Sequence, residues 1–299
     1  MEFYSNGKLF ILGEYYVLEG AKVFALPTKF GQYLKVFPLQ SKALSWKSYD
    51  ADGSVWYNDE FSIQDVIDRN VSSLDKIRNT LIDILHQAHL MNPKVLTKGY
   101  LVETTLTFPR NWGLGTSSTL INNIAQWFEI NAFQLLDKSF GGSGYDIACA
   151  QHNTPITYQK TNEAPFVEEV VFNPLFKEHI YFVYLNQKRD SKEAIANFRK
   201  KQKDLTKEIQ EVSQMTDEVL SITDLDQFIA FFKTYEKKLG CILEVPTIQE
   251  QLFPEFNGLV KSLGGWGGDF VMVASHESPV AYFKNKGYET IVSYHDMIL

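Results

Sequence analysis

The chain has 299 residues, enough for two domains at roughly 150 residues each. Its hydrophobic fraction of 44% and charged fraction of 22% exclude a disordered or collagen-like chain and supply a sizeable core. A formal net charge of −7 argues against a nucleic-acid partner, which wants a basic face. The densest basic run, Arg199, Lys200, Lys201 and Lys203, sits in a helical pattern and reads as a solvated face. Two cysteines, Cys149 and Cys241, without a CxxC pair, leave no disulfide framework and no cysteine-based zinc site. The apolar stretch Leu9–Leu12 is too short for a signal peptide or a membrane span. The expectation is a cytoplasmic protein with no membrane partner.

In chain order, the apolar run Leu9–Leu12 and the segment Tyr33–Phe37 predict strands, the second ended by Pro38. Residues 41 to 62 carry turn signals such as Asp52-Gly53 and predict hairpins. Leu74, Ile77, Leu81, Ile84, Leu85 and Ala88 recur at helical spacing. Tyr100–Phe108 reads as a strand ending at Pro109. Helices are predicted after Gly115, with Leu120, Ile121, Ile124, Ala125, Trp127 and Phe128 inside, and briefly around Ile147, Ala148 and Ala150. Strands follow at Ile156–Tyr158, Val167–Phe172 and Ile180–Leu185. A helical stripe then runs through Ile195, Phe198, Leu205, Ile209, Val212, Met215 and Val219. A second runs through Leu225, Phe228, Ile229, Phe232, Tyr235 and Leu239. Gly264, Gly265, Gly267 and Gly268 precede a strand at Phe270–Ala274. A helix near Pro279–Lys286 and a strand near Thr290–Ser293 close the chain. Strands and helices mix without strict βαβ alternation, which favours α+β.

Three glycine loops carry the chemistry. Pro109-Arg110-Asn111-Trp112-Gly113-Leu114-Gly115-Thr116-Ser117-Ser118 is a strand, a glycine turn, hydroxyl residues and a helix. A helix start offers unpaired N–H groups and a partial positive charge, and glycines let a ligand approach the backbone, so the pattern suits an anion, most often phosphate. A plain N-cap by Thr116 or Ser117 is the competing use. It is neither a Walker A loop nor GxGxxG. In Gly141-Gly142-Ser143-Gly144-Tyr145-Asp146, the carboxylate is either a general base or a helix cap. In Lys261-Ser262-Leu263-Gly264-Gly265-Trp266-Gly267-Gly268-Asp269, the glycines form either a tight turn or a backbone wall against a ligand.

The three loops in this order resemble the GHMP kinase superfamily. Its first motif is matched by Gly7-Lys8-Leu9-Phe10-Ile11-Leu12-Gly13-Glu14-Tyr15, its second by Pro109–Ser118 and its third by Gly264–Asp269. Gly144-Tyr145-Asp146-Ile147-Ala148 is similar to the signature of the GYDIA subgroup. Gly13-Glu14-Tyr15-Tyr16-Val17-Leu18 and Gly267-Gly268-Asp269 are most similar to phosphomevalonate kinases.

The resemblance implies a two-domain GHMP kinase-like fold. Its N-terminal half, 1–165, would resemble ribosomal protein S5 domain 2 and bind ATP, and its C-terminal half, 166–299, would be ferredoxin-like. It implies ATP and Mg²⁺ as cofactors, with phosphates on Gly113, Leu114, Gly115, Thr116, Ser117 and Ser118. The metal would touch Ser117 or Ser118. The interval from Ser118 to Asp146 is short, and Glu129 is its first acid. Lys8 and Asp146 would be catalytic. Acceptor contacts would come from Glu14, Tyr15, Ser143, Gly144, Lys188, Arg189, Ser191, Gly265, Gly267, Gly268 and Asp269. Arg110 is a further candidate for holding an anion. The implied partner is a small acceptor, phosphomevalonate or a mevalonate-like molecule, and the implied assembly leaves room for a homodimer. The alternatives are mevalonate kinase or another small-alcohol or sugar kinase and, from a different class, a GHMP-fold protein that binds a ligand without transferring phosphate.

Overall fold

A computed structural model describes residues 1–71, 74–186, 205–264 and 269–299. Lys188, Arg189, Ser191, Ile195, Phe198, Gly265, Trp266, Gly267 and Gly268 lie outside the described residues. The chain divides into two units, each assembled from several segments. The first holds residues 1–8, 30–110 and 114–151; the second holds 9–29, 111–113 and 152–299. Two strands are shared along their length: β1 (Glu2–Leu12) and β2 (Lys22–Pro38).

In the first unit the strand order is β4-β3-β5-β2. Gln32–Pro38 of β2 runs antiparallel to β5 (Tyr100–Leu106). Strand β3 (Ala43–Tyr49) is parallel to β5 and antiparallel to β4 (Val55–Ser62). The β3–β4 turn closes as Asp52-Gly53 predicts, with the Gly53 N–H donating to the Asp50 carbonyl at 2.9 Å. On β5, Tyr100, Val102, Thr104 and Leu106 are buried in strict alternation, the mark of a sheet with one face on a core.

Four helices cover that core: α2 (Lys76–Met91), α3 (Thr116–Phe128), α4 (Ala132–Ser139) and α5 (Tyr145–Gln151). A short α1 (Ile63–Ile67) precedes them, opened by a capping box between Ser62 and Asp65. The predicted stripes pack together: Leu81, Ile84, Leu85 and Ala88 from α2 meet Ile121, Ile124, Ala125, Trp127 and Phe128 from α3 in one cluster. Leu74 and Ile77 are the exceptions, and Ile77 is exposed in the first turn of α2. Helix α2 starts after Leu74, capped by the Asp75 side chain, and that leucine stands fully exposed.

In the second unit Lys22–Ala25 of β2 pairs with β6 (Ile156–Gln159), which pairs with β7 (Phe166–Glu169), all antiparallel. Tyr33–Phe37 is therefore only the end of a 17-residue strand. Pro27 hides its beginning in the sequence, although Val23, Phe24, Ala25 and Leu26 are all buried.

A separate antiparallel sheet has the order β11-β8-β10-β9, from β8 (Ile180–Tyr184), β9 (Leu259–Ser262), β10 (Phe270–Ala274) and β11 (Ile291–Ser293). Among the described residues the unit's helices are α6 (Thr206–Val219), α7 (Leu225–Leu243), α8 (Ile248–Leu252), α9 (Val280–Asn285) and α10 (Tyr294–Met297). Its core joins Val183, Val260, Val271 and Val273 of the sheet to Ile248, Phe253, Phe256 and Phe283. Among the described residues no helix is long and apolar enough to cross a membrane.

Candidate active site

The first unit brings Lys8, Asp146 and the start of α3 together. The N-cap of α3 is Gly115, at φ 94°, and no side chain caps the first turn. Neither Thr116 nor Ser117 plays the N-cap; both lie inside the helix. A first turn of this kind, with its partial positive charge, suits an anionic acceptor. The Lys8 N–H donates to the Leu114 carbonyl at 3.0 Å, tying β1 to the loop.

A polar lattice fixes the helix behind it. The Ser5 hydroxyl donates to Asn123 Oδ1 at 2.7 Å, Asn122 Nδ2 donates to Ser5 Oγ at 2.9 Å, and Asn123 Nδ2 donates to the Gln32 carbonyl at 2.9 Å. The Thr119 hydroxyl donates to Gln32 Oε1 at 2.9 Å, and Gln151 Nε2 links α5 to Asn122 at 2.9 Å. Asn122 and Asn123 sit among the apolar positions of α3, and nothing local in the sequence marks them as anchors.

Asp146 is the second residue of α5, not its cap. Its carboxylate lies 3.3 Å from the Lys8 ammonium, with side chains 24% and 15% exposed, so a solute reaches the pair. Burial works against the charged ammonium, but the Tyr145 oxygen and the Asp146 carboxylate outweigh it and hold Lys8 protonated well above the ordinary lysine range. Lys8 also lies 5.3 Å from the Tyr145 ring centre. Burial, followed by the Asp146 charge, pushes the Tyr145 phenol up, so it stays neutral and its oxygen accepts from Lys8. Tyr145 is a member of this site that the motif reading passed over; its place beside Asp146 was the available signal.

Gly115 fits this corner because it has no side chain. A Cβ there would stand 3.4 Å from Lys8 Cγ and 4.0 Å from Asp146 Oδ1, on a left-handed backbone. Gly115→Ala should cost ~1–2 kcal/mol from the backbone alone. Gly53→Ala, at φ +82° with nothing near its Cβ, should share the stability loss. Thermal unfolding checks both.

The other candidates divide clearly. Ser117 and Ser118 lie in the first turn of α3. Glu129 caps the opposite end of that 13-residue helix and is exposed, roughly 20 Å from the glycine turn at 1.5 Å per residue. It is not a ligand for a metal at Ser117 or Ser118. Among the described residues no cluster of three His, Cys, Asp or Glu could hold a metal alone. Gly144 is buried at the foot of α5, and Ser143 is partly exposed beside it. Arg110 is taken up within its own unit: its Nε donates to Asp50 at 2.7 Å and its guanidinium lies 4.5 Å from the Trp56 ring centre.

In the second unit Asp269 sits against Gly113, whose backbone has φ 68°; a Cβ there would overlap the Asp269 carboxylate. The Leu185 N–H donates to the Asp269 carbonyl at 2.7 Å, and the Tyr184 hydroxyl donates to the Asn111 carbonyl at 2.9 Å.

Glu14 is buried, and both of its oxygens are engaged: Oε1 accepts from Lys261 and Oε2 from the Tyr235 hydroxyl, each at 2.6 Å. Tyr15, also buried, has φ 68° and ψ −45°. The Tyr16 N–H donates to the Glu14 carbonyl at 2.9 Å, closing a γ-turn of the positive-φ kind. Such a backbone costs ~1–3 kcal/mol and persists only where its surroundings enforce it.

Glu236 joins the same interior. Burial pushes its carboxyl from the ordinary 4.5 up to about 7, against the pull of Lys261. Folding therefore takes up a proton between those values, and stability contributed by this group falls as pH rises through that window. The stability advantage of wild type over Glu236→Gln should shrink from pH 5 to pH 8. A constant difference in unfolding temperature would remove the assignment.

No family model and no curated protein sequence matches the chain. Solved structures do. A mevalonate kinase from Methanococcus jannaschii is 13% identical, with a TM-score of 0.70 over 97% of this chain and 96% of that one. A Streptococcus pneumoniae phosphomevalonate kinase in complex with phosphomevalonate and AMPPNP is 13% identical, with a TM-score of 0.70 over 96% and 95%. A Lactococcus lactis galactokinase complexed with galactose is 15% identical, with a TM-score of 0.67 over 98% and 92%. These neighbours are all GHMP kinases. With its seven-stranded and four-stranded sheets and nearly complete coverage, the chain has the two-domain fold of the GHMP kinases.

Proposed function

We propose that the protein is an ATP-dependent phosphotransferase that passes the γ-phosphoryl group to a small acceptor, phosphomevalonate first among the candidates. The observation that carries this reading is the Lys8–Asp146 pair at 3.3 Å, beside a helix start with no side-chain cap. Phosphoryl transfer needs positioning and charge neutralisation more than covalent chemistry. In this reading the ATP phosphates lie on Gly113–Ser118 and accept from backbone N–H groups. Lys8 meets charge on the transferred group, and Tyr145 and Asp146 hold that ammonium in place. Ser117 and Ser118 carry hydroxyls suited to Mg²⁺, a cation that keeps several waters and binds through few protein oxygens; the metal would neutralise phosphate charge. Ser143, Gly144 and Asp269 are the described residues proposed for the acceptor, with Lys188, Arg189, Ser191, Gly265, Gly267 and Gly268 beyond them. Glu14 is left out, because its carboxylate is spent in the interior.

The preference for phosphomevalonate rests on the segments Gly13–Leu18 and Gly267–Asp269. A second reading, mevalonate or another small alcohol or sugar, is favoured by Asp146 itself, since an alcohol needs a proton acceptor within about 3 Å. Expression in a strain lacking phosphomevalonate kinase, with purified protein assayed for ADP release on phosphomevalonate, mevalonate and galactose, decides between them. Growth rescue with highest kcat/KM on phosphomevalonate is expected. No rescue, with stimulation by mevalonate or galactose, moves the protein to the second reading.

A further inference from the structure

The second unit carries a buried charged cluster that the proposed chemistry does not use. Lys261, on β9, is fully buried between two carboxylates: Glu14 Oε1 at 2.6 Å and Glu236 Oε1 at 3.6 Å. Its ammonium also donates to the Ser262 carbonyl at 2.6 Å and lies 5.3 Å from the Tyr235 ring centre. Glu236 Oε2 accepts from the Ser262 N–H at 3.2 Å. Tyr235 donates to Glu14 and accepts from the Gly13 N–H at 3.1 Å. The N–H and the carbonyl of Ser262, and the Gly13–Glu14 start of the turn, are thereby held by one set of side chains.

Taking three ionisable groups out of water is costly, and well-packed apolar side chains would serve stability as well or better. The cluster sits where two backbone segments need enforcing. One is the positive-φ γ-turn at Tyr15, inside the first motif. The other is the end of β9, two residues before the glycine run that begins at Gly264. We propose that Lys261 is a positioning residue, which through Glu14 and Glu236 fixes the Gly13–Tyr16 turn and the Ser262 backbone at the foot of the third glycine loop.

The proposal rests on the phosphotransferase reading for its effect on turnover, and on hydrogen exchange for its effect on structure. The test variant is Glu14→Gln/Lys261→Met/Glu236→Gln. It keeps an acceptor for Tyr235 and for the Ser262 N–H and removes every charge. Unfolding temperature should be unchanged or higher. Amide exchange should quicken in peptides covering 13–16 and 259–264, with the β8–β10 pairing still protected. Nucleotide KM should rise, and kcat/KM should fall ~10- to 100-fold, as for a displacement of about 1 Å at a site. If the triple variant does not fold, Tyr235→Phe is read by the same criteria. Wild-type exchange and wild-type kcat/KM in the folded variant overturn the proposal. A wild-type protein that shows no turnover, with the exchange change present, overturns the kinase reading and leaves the positioning role standing.

Discussion

Lys8→Met should lower kcat by ~10²–10³-fold, the loss typical of removing one preorganised charge or donor from a reacting site. The residue earns this weight from its surroundings rather than its type. Its side chain is 15% exposed, and its ammonium lies 3.3 Å from Asp146 and is held in its charged form. A methionine there keeps an unbranched chain one atom shorter and deletes the charge with its three donors. Nucleotide affinity should fall much less than kcat, because backbone N–H groups hold the phosphates in this account. Steady-state kinetics and nucleotide titration on the variant separate the two. Equal kcat in variant and wild type would take Lys8 out of the chemistry.

Asp146→Asn carries the second large effect and also reports on the acceptor. If the acceptor is an alcohol, loss of the proton-accepting carboxylate should cost ~10²–10⁴-fold in kcat. If the acceptor is a phosphate monoester, already ionised near neutral pH, the loss should lie at the low end of that range and below the loss from Lys8→Met. The asparagine preserves shape, so unfolding temperature should change little at this partly exposed position. The ratio of the two variants' effects is a chemical reading of the acceptor class that needs no bound complex. Wild-type turnover in Asp146→Asn would remove the carboxylate from the reaction.

Much of the fold was legible because local periodicity and burial agree. The stripes Leu81–Ala88 and Ile121–Phe128 became helices packed on one another, and Ile180–Leu185 became a central strand of the second sheet. The missed elements have identifiable causes. Strand β9 is four residues long and includes a buried lysine and serine, so it carries no apolar run. Helices α8 and α10 are single turns defined by caps at Thr247 and Ser293 rather than by a stripe. The start of β2 is masked by Pro27.

The candidate site was legible where motifs place residues along the chain, as for Lys8, Gly113–Ser118 and Asp146. It was not legible where function depends on partners far apart in sequence. Lys261 meets Glu14 across 247 positions, and no spacing rule reports such a pair. Asn122 and Asn123 anchor α3 through Ser5 and Gln32, more than 90 positions away. Glu14 shows the converse: its motif suggested a ligand contact, and the fold places it in the interior.

The central claim is transfer of a phosphoryl group from ATP at the Lys8–Asp146 corner. Its most direct test is ³¹P NMR of ATP with phosphomevalonate, mevalonate and galactose in turn, comparing wild type with Lys8→Met. Wild type should give ADP and a newly phosphorylated acceptor in equal amounts, and the variant a far slower conversion. Nucleotide binding without phosphorylation of any alcohol or phosphate-monoester acceptor would contradict it.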